Sequence, residues 1–179
     1  MGRMDEHIAF LKEYLASDWG LEDGVRMLVA YCRLVEPKAP WELVEALDLA
    51  RESRSFEVWL EGNLPPAGAK AGIAAYYFGL AEDGTTVHLD GCGAFDASDE
   101  DCDWACEWVY RTEDDWTDSR GLDAFAAISE AADGEEPILL YLLGLGYLAL
   151  MVRRHGKQLG KPVAIGFDDG DAYVLAMKP

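Results

Sequence analysis

The feature that most constrains the fold of this chain is one uninterrupted apolar run in its second half. The run, ILLYLLGLGYLALMV, covers residues 138 to 152. A helix needs about 20 residues to cross a bilayer, so these fifteen indicate a buried helix and not a membrane span. A helix that is apolar on nearly all sides has to be covered by other elements. We therefore expect the core to be built around it.

The residues that flank this run suit the two ends of a helix. Glu135 and Glu136 would lie at its positive end, while Arg153 and Arg154 would lie at its negative end. Gly156 is suited to the C-cap, and His155 is expected to be one more cation of the last turn. Within the helix, Gly144 and Gly146 would let neighbouring elements approach closely.

The first third of the chain has the apolar spacing of amphipathic helices. We predict helices at 4–17, 21–35 and 40–53, with Pro40 in the first turn of the third, and a short fourth helix at 55–62. His7 is expected on an exposed helix face. The segment NLPPAGAKAG, residues 63 to 72, ends this helical region, because proline and glycine interrupt regular structure.

After this segment the pattern changes to that of β-strands. Asp83-Gly84 between two β-prone runs predicts a hairpin, and CEWVYR, residues 106 to 111, predicts a third strand. A helix follows at 121–133, then the apolar helix, then a second hairpin around DDGD at 168–171.

These elements predict an α+β fold: an antiparallel sheet from two hairpins, packed on a long central helix, with a helical N-terminal third. We expect one domain over residues 1–179, with a helical part at 1–62 and an α+β part at 70–179. A separate helical subdomain that ends near residue 66 is the alternative.

The charge of the chain narrows the classes of partner. Thirty-four acidic residues against fifteen basic ones give a formal net charge of −19. Such a surface repels nucleic-acid phosphates and anionic lipid and attracts a basic partner. The N-terminus lacks the pattern of a signal peptide, so we expect a cytoplasmic protein whose four cysteines are thiols or ligands.

The acidic excess is concentrated in one short stretch, FDASDEDCDWACEWVYRTEDDWTD, at 95–118. It holds ten carboxylates, three tryptophans and one cation, Arg111. Aromatic side chains anchor interfaces and carboxylates orient a basic partner, so we predict a partner-binding surface here. At least one tryptophan is expected to pack inward and hold the loop on the sheet. The predicted binding residues are Asp99, Glu100, Asp101, Asp103, Trp104, Glu107, Trp108, Asp114, Asp115 and Trp116, with Trp104 and Trp116 taken as exposed anchors.

Metal binding is the alternative use of the same region. The first candidate set is His88, Cys92, Cys102 and Cys106, which could surround a tetrahedral zinc ion, although the three-residue spacing is poor for a zinc clip. The second set is the cluster from Asp96 to Glu107, where Asp96, Ser98, Glu100 and Glu107 match calcium-loop positions. Asp101 stands where that loop requires glycine. We favour buried thiols and expect no bound cofactor.

No local catalytic signature is present: the sequence lacks a nucleophile elbow, a Walker loop and a dinucleotide-binding glycine motif. The three histidines lie in three different predicted elements. A site assembled in space stays open, but the sequence favours a protein that is not an enzyme.

The segment DEDCDWACEWVY, followed much later by VAIGFDDGDAYVLA, resembles bacterial proteins of the toxin-immunity type. The resemblance covers about the last hundred residues. It implies a small acidic α+β protein that binds and blocks a basic toxin in the cytoplasm without catalysis. We therefore expect a basic protein partner, in particular a toxin, with no nucleic acid and no membrane.

Overall fold

The fold was taken from a computed structural model, which describes residues 3–99, 102–132, 138–168 and 171–177. The helices are α1 (Arg3–Ala16), α2 (Leu21–Val35), α3 (Glu42–Glu45), α4 (Leu49–Gly62), α5 (Ala67–Lys70), α6 (Arg120–Glu130) and α7 (Ile138–His155). The strands are β1 (Ala75–Leu80), β2 (Val87–Cys92), β3 (Trp108–Arg111), β4 (Val163–Phe167) and β5 (Ala172–Leu175). This is an α+β fold, as the sequence predicts.

Helix α7 lies at the centre of the fold. By length and composition the segment Ile138–Leu159 is able to cross a membrane, but 67% of its most apolar window is buried inside the protein. One face of α7 meets the sheet, and helices α1, α2, α4 and α6 pack around the rest. The expected central core helix is confirmed. Glu135 and Glu136, expected at its start, lie outside the described residues.

Two glycines allow close packing against α7, as predicted. A Cβ built on Gly144 would lie 2.7 Å from a methyl carbon of Leu80 in β1, and one on Gly146 would lie 2.7 Å from a methyl carbon of Leu28 in α2. Such distances are well below van der Waals contact, so a side chain at either position would require the leucine opposite it to move. The helical N-terminal part thus shares one core with the sheet.

The sheet has the strand order β3-β2-β1-β4-β5. The two predicted hairpins, β1–β2 and β4–β5, are antiparallel. They meet through a parallel pairing of β1 with β4, so the sheet is mixed and not antiparallel throughout. In the first hairpin the Asp83-Gly84 turn is confirmed: Gly84 has a φ of +73°, a conformation that a residue with a side chain adopts only at a cost. Residues 169 and 170 of the DDGD turn lie outside the described residues.

The predicted third and fourth helices are divided differently. A single helix over 40–53 is wrong, because it ends after Glu45 and a new helix starts at Leu49 and runs to Gly62. The Asp48 carboxylate accepts a hydrogen bond from the backbone N–H of Arg51, which is the N-cap interaction that starts a helix. The amphipathic pattern over 40–53 places Asp48 inside a helix, whereas its capping role makes it the residue before the first turn of α4.

Candidate partner-binding surface

Strand β3 forms one edge of the sheet and carries two exposed apolar side chains. Trp108 is 52% exposed and Val109 is 58% exposed. In the part of the chain that the structure describes, no strand pairs with the outer side of β3. An unpaired edge with exposed apolar side chains is a site where another chain can add.

The Trp108 ring packs against Arg111, which is itself bonded to a buried carboxylate. The Arg111 guanidinium carbon lies 4.9 Å from the centre of the Trp108 ring. The same guanidinium donates two hydrogen bonds to the carboxylate of Asp90, at 2.7 and 2.6 Å. Asp90 lies on β2 and is only 1% exposed. A bidentate pair with a buried carboxylate fixes the arginine plane, so Arg111 in turn restricts the tryptophan that rests on it.

Asp90 also faces a histidine that the sequence did not connect to it. The His88 Nε2 atom lies 3.3 Å from the Asp90 carboxylate, and its Nδ1 atom lies 3.3 Å from the Asp168 carboxylate. Burial alone would raise the pKa of Asp90, but Arg111 and His88 outweigh burial and hold that pKa below its usual value. Asp90 is therefore a buried, charged carboxylate that fixes Arg111 of the edge strand.

The loop that follows β3 is fastened to helix α4. The Trp59 indole N–H donates to the carbonyl of Asp114 at 2.8 Å. The Trp116 indole N–H donates to the Ser55 hydroxyl at 3.0 Å, and that hydroxyl donates to the carbonyl of Asp118. These bonds use the backbone of the acidic residues and leave their carboxylates exposed. The loop displays its charge as predicted, but these tryptophan bonds hold it against α4, whereas the sequence predicts that an inward tryptophan holds it on the sheet.

The predicted binding residues are divided between surface and core. The described carboxylates Asp103, Glu107, Asp114 and Asp115 are exposed and Asp99 is half-buried, while Glu100 and Asp101 lie outside the described residues. Among the predicted tryptophans only Trp108 is exposed. The expectation that Trp104 and Trp116 are exposed anchors is wrong, because they are 4% and 2% exposed.

The two buried tryptophans have structural positions. Trp116 packs edge-on against Phe56 of α4, with the ring centres 4.9 Å apart. Trp104 packs against Phe95 on the sheet face opposite α7, in a small cluster with the buried Cys92 and Cys102. Trp104 therefore attaches the acidic stretch to the sheet, and Trp116 attaches it to α4.

We call the exposed acidic and apolar residues on and beside β3 the β3 acidic surface; they are Asp103, Glu107, Trp108, Val109, Glu113, Asp114 and Asp115, and the exposed cation Arg111 lies among them. Sequence reasoning missed Val109 and Glu113. Val109 lies in the predicted strand 106–111, and its exposure could have been predicted only if that strand had been placed at an edge of the sheet. Its exposure follows from a register shift opposite Gly91 and Cys92, which Val109 does not pair with.

The predicted zinc ligands are not assembled. Among the residues that the structure describes, no group of three or more His, Cys, Asp or Glu side chains is placed to hold a metal ion. Cys92 and Cys102 are buried and donate weakly to backbone carbonyls of Ala105 and Ala172, whereas Cys106 is exposed. Burial raises the pKa of the Cys92 thiol to about 12, which favours a protonated thiol over a ligand.

The predicted calcium positions form a local turn. The Asp96 carboxylate accepts hydrogen bonds from the Ser98 hydroxyl and from the Ser98 backbone N–H, at 2.7 and 2.8 Å. These bonds lower the pKa of Asp96. The carboxylate thus shapes the chain as in other Asx turns, and Glu100 of this set lies outside the described residues.

Two histidines differ from their expected positions. His7 is buried and its Nδ1 lies 2.9 Å from the Tyr31 hydroxyl, so it is not on an exposed face. His155 is not a cation of the last turn: its Nε2 lies 2.8 Å from the Ser53 hydroxyl, and burial lowers its pKa. With Glu57 at 3.7 Å from Nδ1 this grouping has the order of a hydrolase triad. Ser53 is only 5% exposed, and its hydroxyl lies against the His155 ring.

Comparison of this chain with protein-family models, with curated proteins and with solved structures finds no match.

Proposed function

We propose that this protein is a non-enzymatic binding protein that recognises a basic protein partner through the β3 acidic surface. The observation that carries the proposal is the exposed pair Trp108 and Val109 on an unpaired edge strand, with exposed carboxylates before and after it in the chain. In a loop that is only solvated, nothing requires a half-exposed tryptophan whose ring is restricted by an arginine bonded to a buried carboxylate. A side chain that anchors an interface has to be exposed, and it binds more tightly when its motion is already restricted.

The anchor and the carboxylates serve different steps of binding. Trp108 offers a large apolar surface at low entropic cost, because its ring already rests on Arg111. The carboxylates attract lysine and arginine side chains over a distance of about 8 Å at physiological ionic strength. They speed the encounter and set the orientation, whereas the tryptophan slows dissociation.

The unpaired edge of β3 supports a specific mode of contact. The Thr112 backbone N–H donates to the Leu89 carbonyl of β2 at 3.0 Å. Because backbone groups alternate in direction along a strand, the neighbouring Arg111 directs its own N–H and C=O outward. An extended basic segment of the partner would pair with these groups and place an apolar side chain beside Trp108.

The partner is a cationic toxin, and the protein is an immunity protein that acts in the cytoplasm. The resemblance of residues 99–110 and 163–176 to immunity-type proteins supports this, together with the net charge of −19. Neutralisation occurs by occlusion: the carboxylates pair with lysine and arginine at the cleft where the toxin binds its own substrate, and Trp108 fills an apolar pocket beside it.

Co-expression tests the proposal. The product of the reading frame adjacent to this gene is expressed alone and together with this protein, and cell growth and complex formation on gel filtration are measured. We expect growth arrest that this protein relieves, with a stable complex. Trp108→Ala should abolish relief, while Leu34→Ala, which removes an exposed leucine of α2, should not. Relief that survives Trp108→Ala would place the interface elsewhere, and no arrest and no complex would overturn the immunity function.

A further inference from the structure

The carboxylates of the β3 acidic surface share one property, which is that no basic side chain of the protein neutralises them. They are Asp103, Glu107, Glu113, Asp114 and Asp115. In the part of the chain that the structure describes, none of them forms a salt bridge. On α2, by contrast, Asp23 is paired with Arg26 at 2.8 Å. The surface therefore presents its negative charges to a partner.

The cation that lies among these carboxylates is bonded to a different acid. Arg111 donates two hydrogen bonds to the buried carboxylate of Asp90. These bonds are the main cause of the raised pKa of Arg111, and the exposed Asp115 contributes less. The positive charge of Arg111 is thus balanced mainly from inside the protein, and the exposed acids keep their charge.

Three of the carboxylates are consecutive in the chain. Glu113, Asp114 and Asp115 follow one another and are all exposed, and consecutive Cα atoms lie about 3.8 Å apart. Successive phosphates of one DNA strand are separated by about 3.4 Å along the helix axis. This segment therefore carries negative charge at nearly the density of a nucleic-acid strand.

The exposed ring of Trp108 adds the second chemical component of a nucleic acid. The side chain is 52% exposed, and its ring centre lies 4.9 Å from the guanidinium carbon of Arg111. In nucleic-acid complexes, bases stack on arginine guanidinium planes and on aromatic side chains. The surface thus combines a stacked planar ring with a series of negative charges, as a nucleotide strand does.

Neutralisation by occlusion constrains the substrate of the partner. Carboxylates can occupy the substrate cleft of a toxin only if that cleft is lined by lysine and arginine. A cleft with one sign of charge concentrates substrates of the opposite sign, so the substrate is an anion. Proteins that bind single-stranded nucleic acids combine such a basic groove with aromatic side chains that stack on the bases. A groove of that kind accepts both the carboxylates and the ring of this surface.

We propose that the toxin is a nucleic-acid-binding protein and that the β3 acidic surface occupies its nucleic-acid site; this rests on the proposed function. The carboxylates take the positions of phosphates, and Trp108 takes the position of a base. A toxin that acts on an anionic lipid surface is the less suitable partner, because lipid head groups present charge without planar rings and give Trp108 no role.

Competition for the partner tests this assignment. The product of the adjacent reading frame is purified and mixed in EDTA with a fluorescein-labelled RNA strand or with a labelled DNA duplex, and fluorescence anisotropy reports binding. We expect the partner to bind at least one of the two probes, and we expect this protein to displace the probe. The free probe should not bind to this protein, whose net charge is −19.

Two variants of the tryptophan separate a base-like ring from an apolar anchor. Trp108→Phe keeps a planar ring, whereas Trp108→Leu keeps only an apolar side chain, and the fold should be retained in both because the position is exposed. The Phe variant should displace the probe nearly as well as the unmodified protein. The Leu variant should require a concentration about tenfold higher. Equal displacement by the two variants would overturn the assignment of Trp108 to the position of a base.

A pair of triple variants tests the carboxylates. Replacing Asp103, Asp114 and Asp115 together by Asn should weaken displacement of the probe. The matched control replaces Glu13, Glu22 and Glu42 by Gln, which removes the same charge from exposed positions on other helices. It should displace the probe as the unmodified protein does, and equal losses in both triple variants would contradict a role for these particular carboxylates.

The outcomes also separate this assignment from the proposed function. A complex that forms on gel filtration but leaves the probe bound to the partner would overturn the nucleic-acid assignment and leave the binding function intact. A partner that binds phosphatidylglycerol vesicles and neither probe would overturn it in the same way. If no complex forms, the proposed function itself is wrong.

Discussion

The guanidinium carbon of Arg111 lies 4.9 Å from the centre of the Trp108 ring, with the arginine itself tied to buried Asp90. An exposed tryptophan is usually free to change rotamer, and binding then has to restrict it. Here the restriction is already present in the free protein, and the entropic cost of ordering this side chain is reduced before any partner arrives.

Trp108→Ala should weaken binding of the co-expressed basic partner by about 2 kcal/mol or more, mainly through faster dissociation. The measurement is surface plasmon resonance with the purified partner. Leu34→Ala is the matched control, because Leu34 is 82% exposed on a different face. Equal dissociation rates for both variants would contradict an anchoring role for Trp108.

Replacing the exposed acids Asp103, Asp114 and Asp115 together by Asn should slow association and make it less sensitive to salt. Stopped-flow mixing with the partner at several salt concentrations measures this. Replacing Glu13, Glu22 and Glu42 by Gln removes the same charge from exposed positions on other helices. If both triple variants slow association equally, net charge steers the partner and the β3 acidic surface has no special part.

Asp90→Asn should destabilise the protein at neutral pH and change its acid response. The pKa of Asp90 is below its usual value in the folded state, so its contribution is complete above the unfolded pKa of about 3.9. It is lost as the pH falls through the lower folded pKa. The difference in unfolding free energy between the two proteins, from urea titrations, should therefore be constant from pH 7 to 5 and shrink below about pH 4. A difference that grows toward low pH would contradict this assignment.

Leu143→Ala should lower the free energy of unfolding by about 2–5 kcal/mol, since the side chain is 0% exposed at the centre of α7. Urea unfolding followed by circular dichroism is the measurement. Leu34→Ala loses the same atoms at the surface and should change stability by less than about 0.5 kcal/mol. Similar losses in the two variants would mean that α7 is not the core helix.

The cysteines should react in two classes. Cys106 is exposed, whereas Cys32, Cys92 and Cys102 are buried, and burial raises the pKa of both Cys32 and Cys92 to about 12. A thiol reagent should therefore label one cysteine quickly in the native protein and the others only after unfolding. Cys106→Ser should abolish the fast phase. A fast phase that persists in this variant would show that the cluster beneath the acidic stretch opens readily.

Sequence periodicity predicted the elements whose signal is local. The apolar run 138–152, the Asp83-Gly84 turn and the strand around Trp108 all follow from residues that are near one another in the chain. The close approach at Gly144 and Gly146 was also foreseeable, since a buried helix with two glycines leaves space for its neighbours.

The exposure of the tryptophans was not foreseeable, because it depends on contacts between distant segments. Trp116 is buried by Phe56 and bonded to Ser55, sixty-one positions away. The support of Trp108 by Asp90 depends on the register between β2 and β3, which a bulge alters at Gly91 and Cys92.

The parallel pairing of β1 with β4 has a consequence for the order in which the chain folds. The Tyr77 hydroxyl donates to the carbonyl of Phe167, ninety positions further along. During synthesis the first hairpin can form early. The second edge of β1 stays unpaired until β4, which follows α7 in the chain, has been made. Contacts so distant in sequence slow folding and leave strand edges open to other chains. The acidic residues that lie between β1 and β4 would keep such unfinished chains apart by mutual repulsion until the last hairpin closes the sheet.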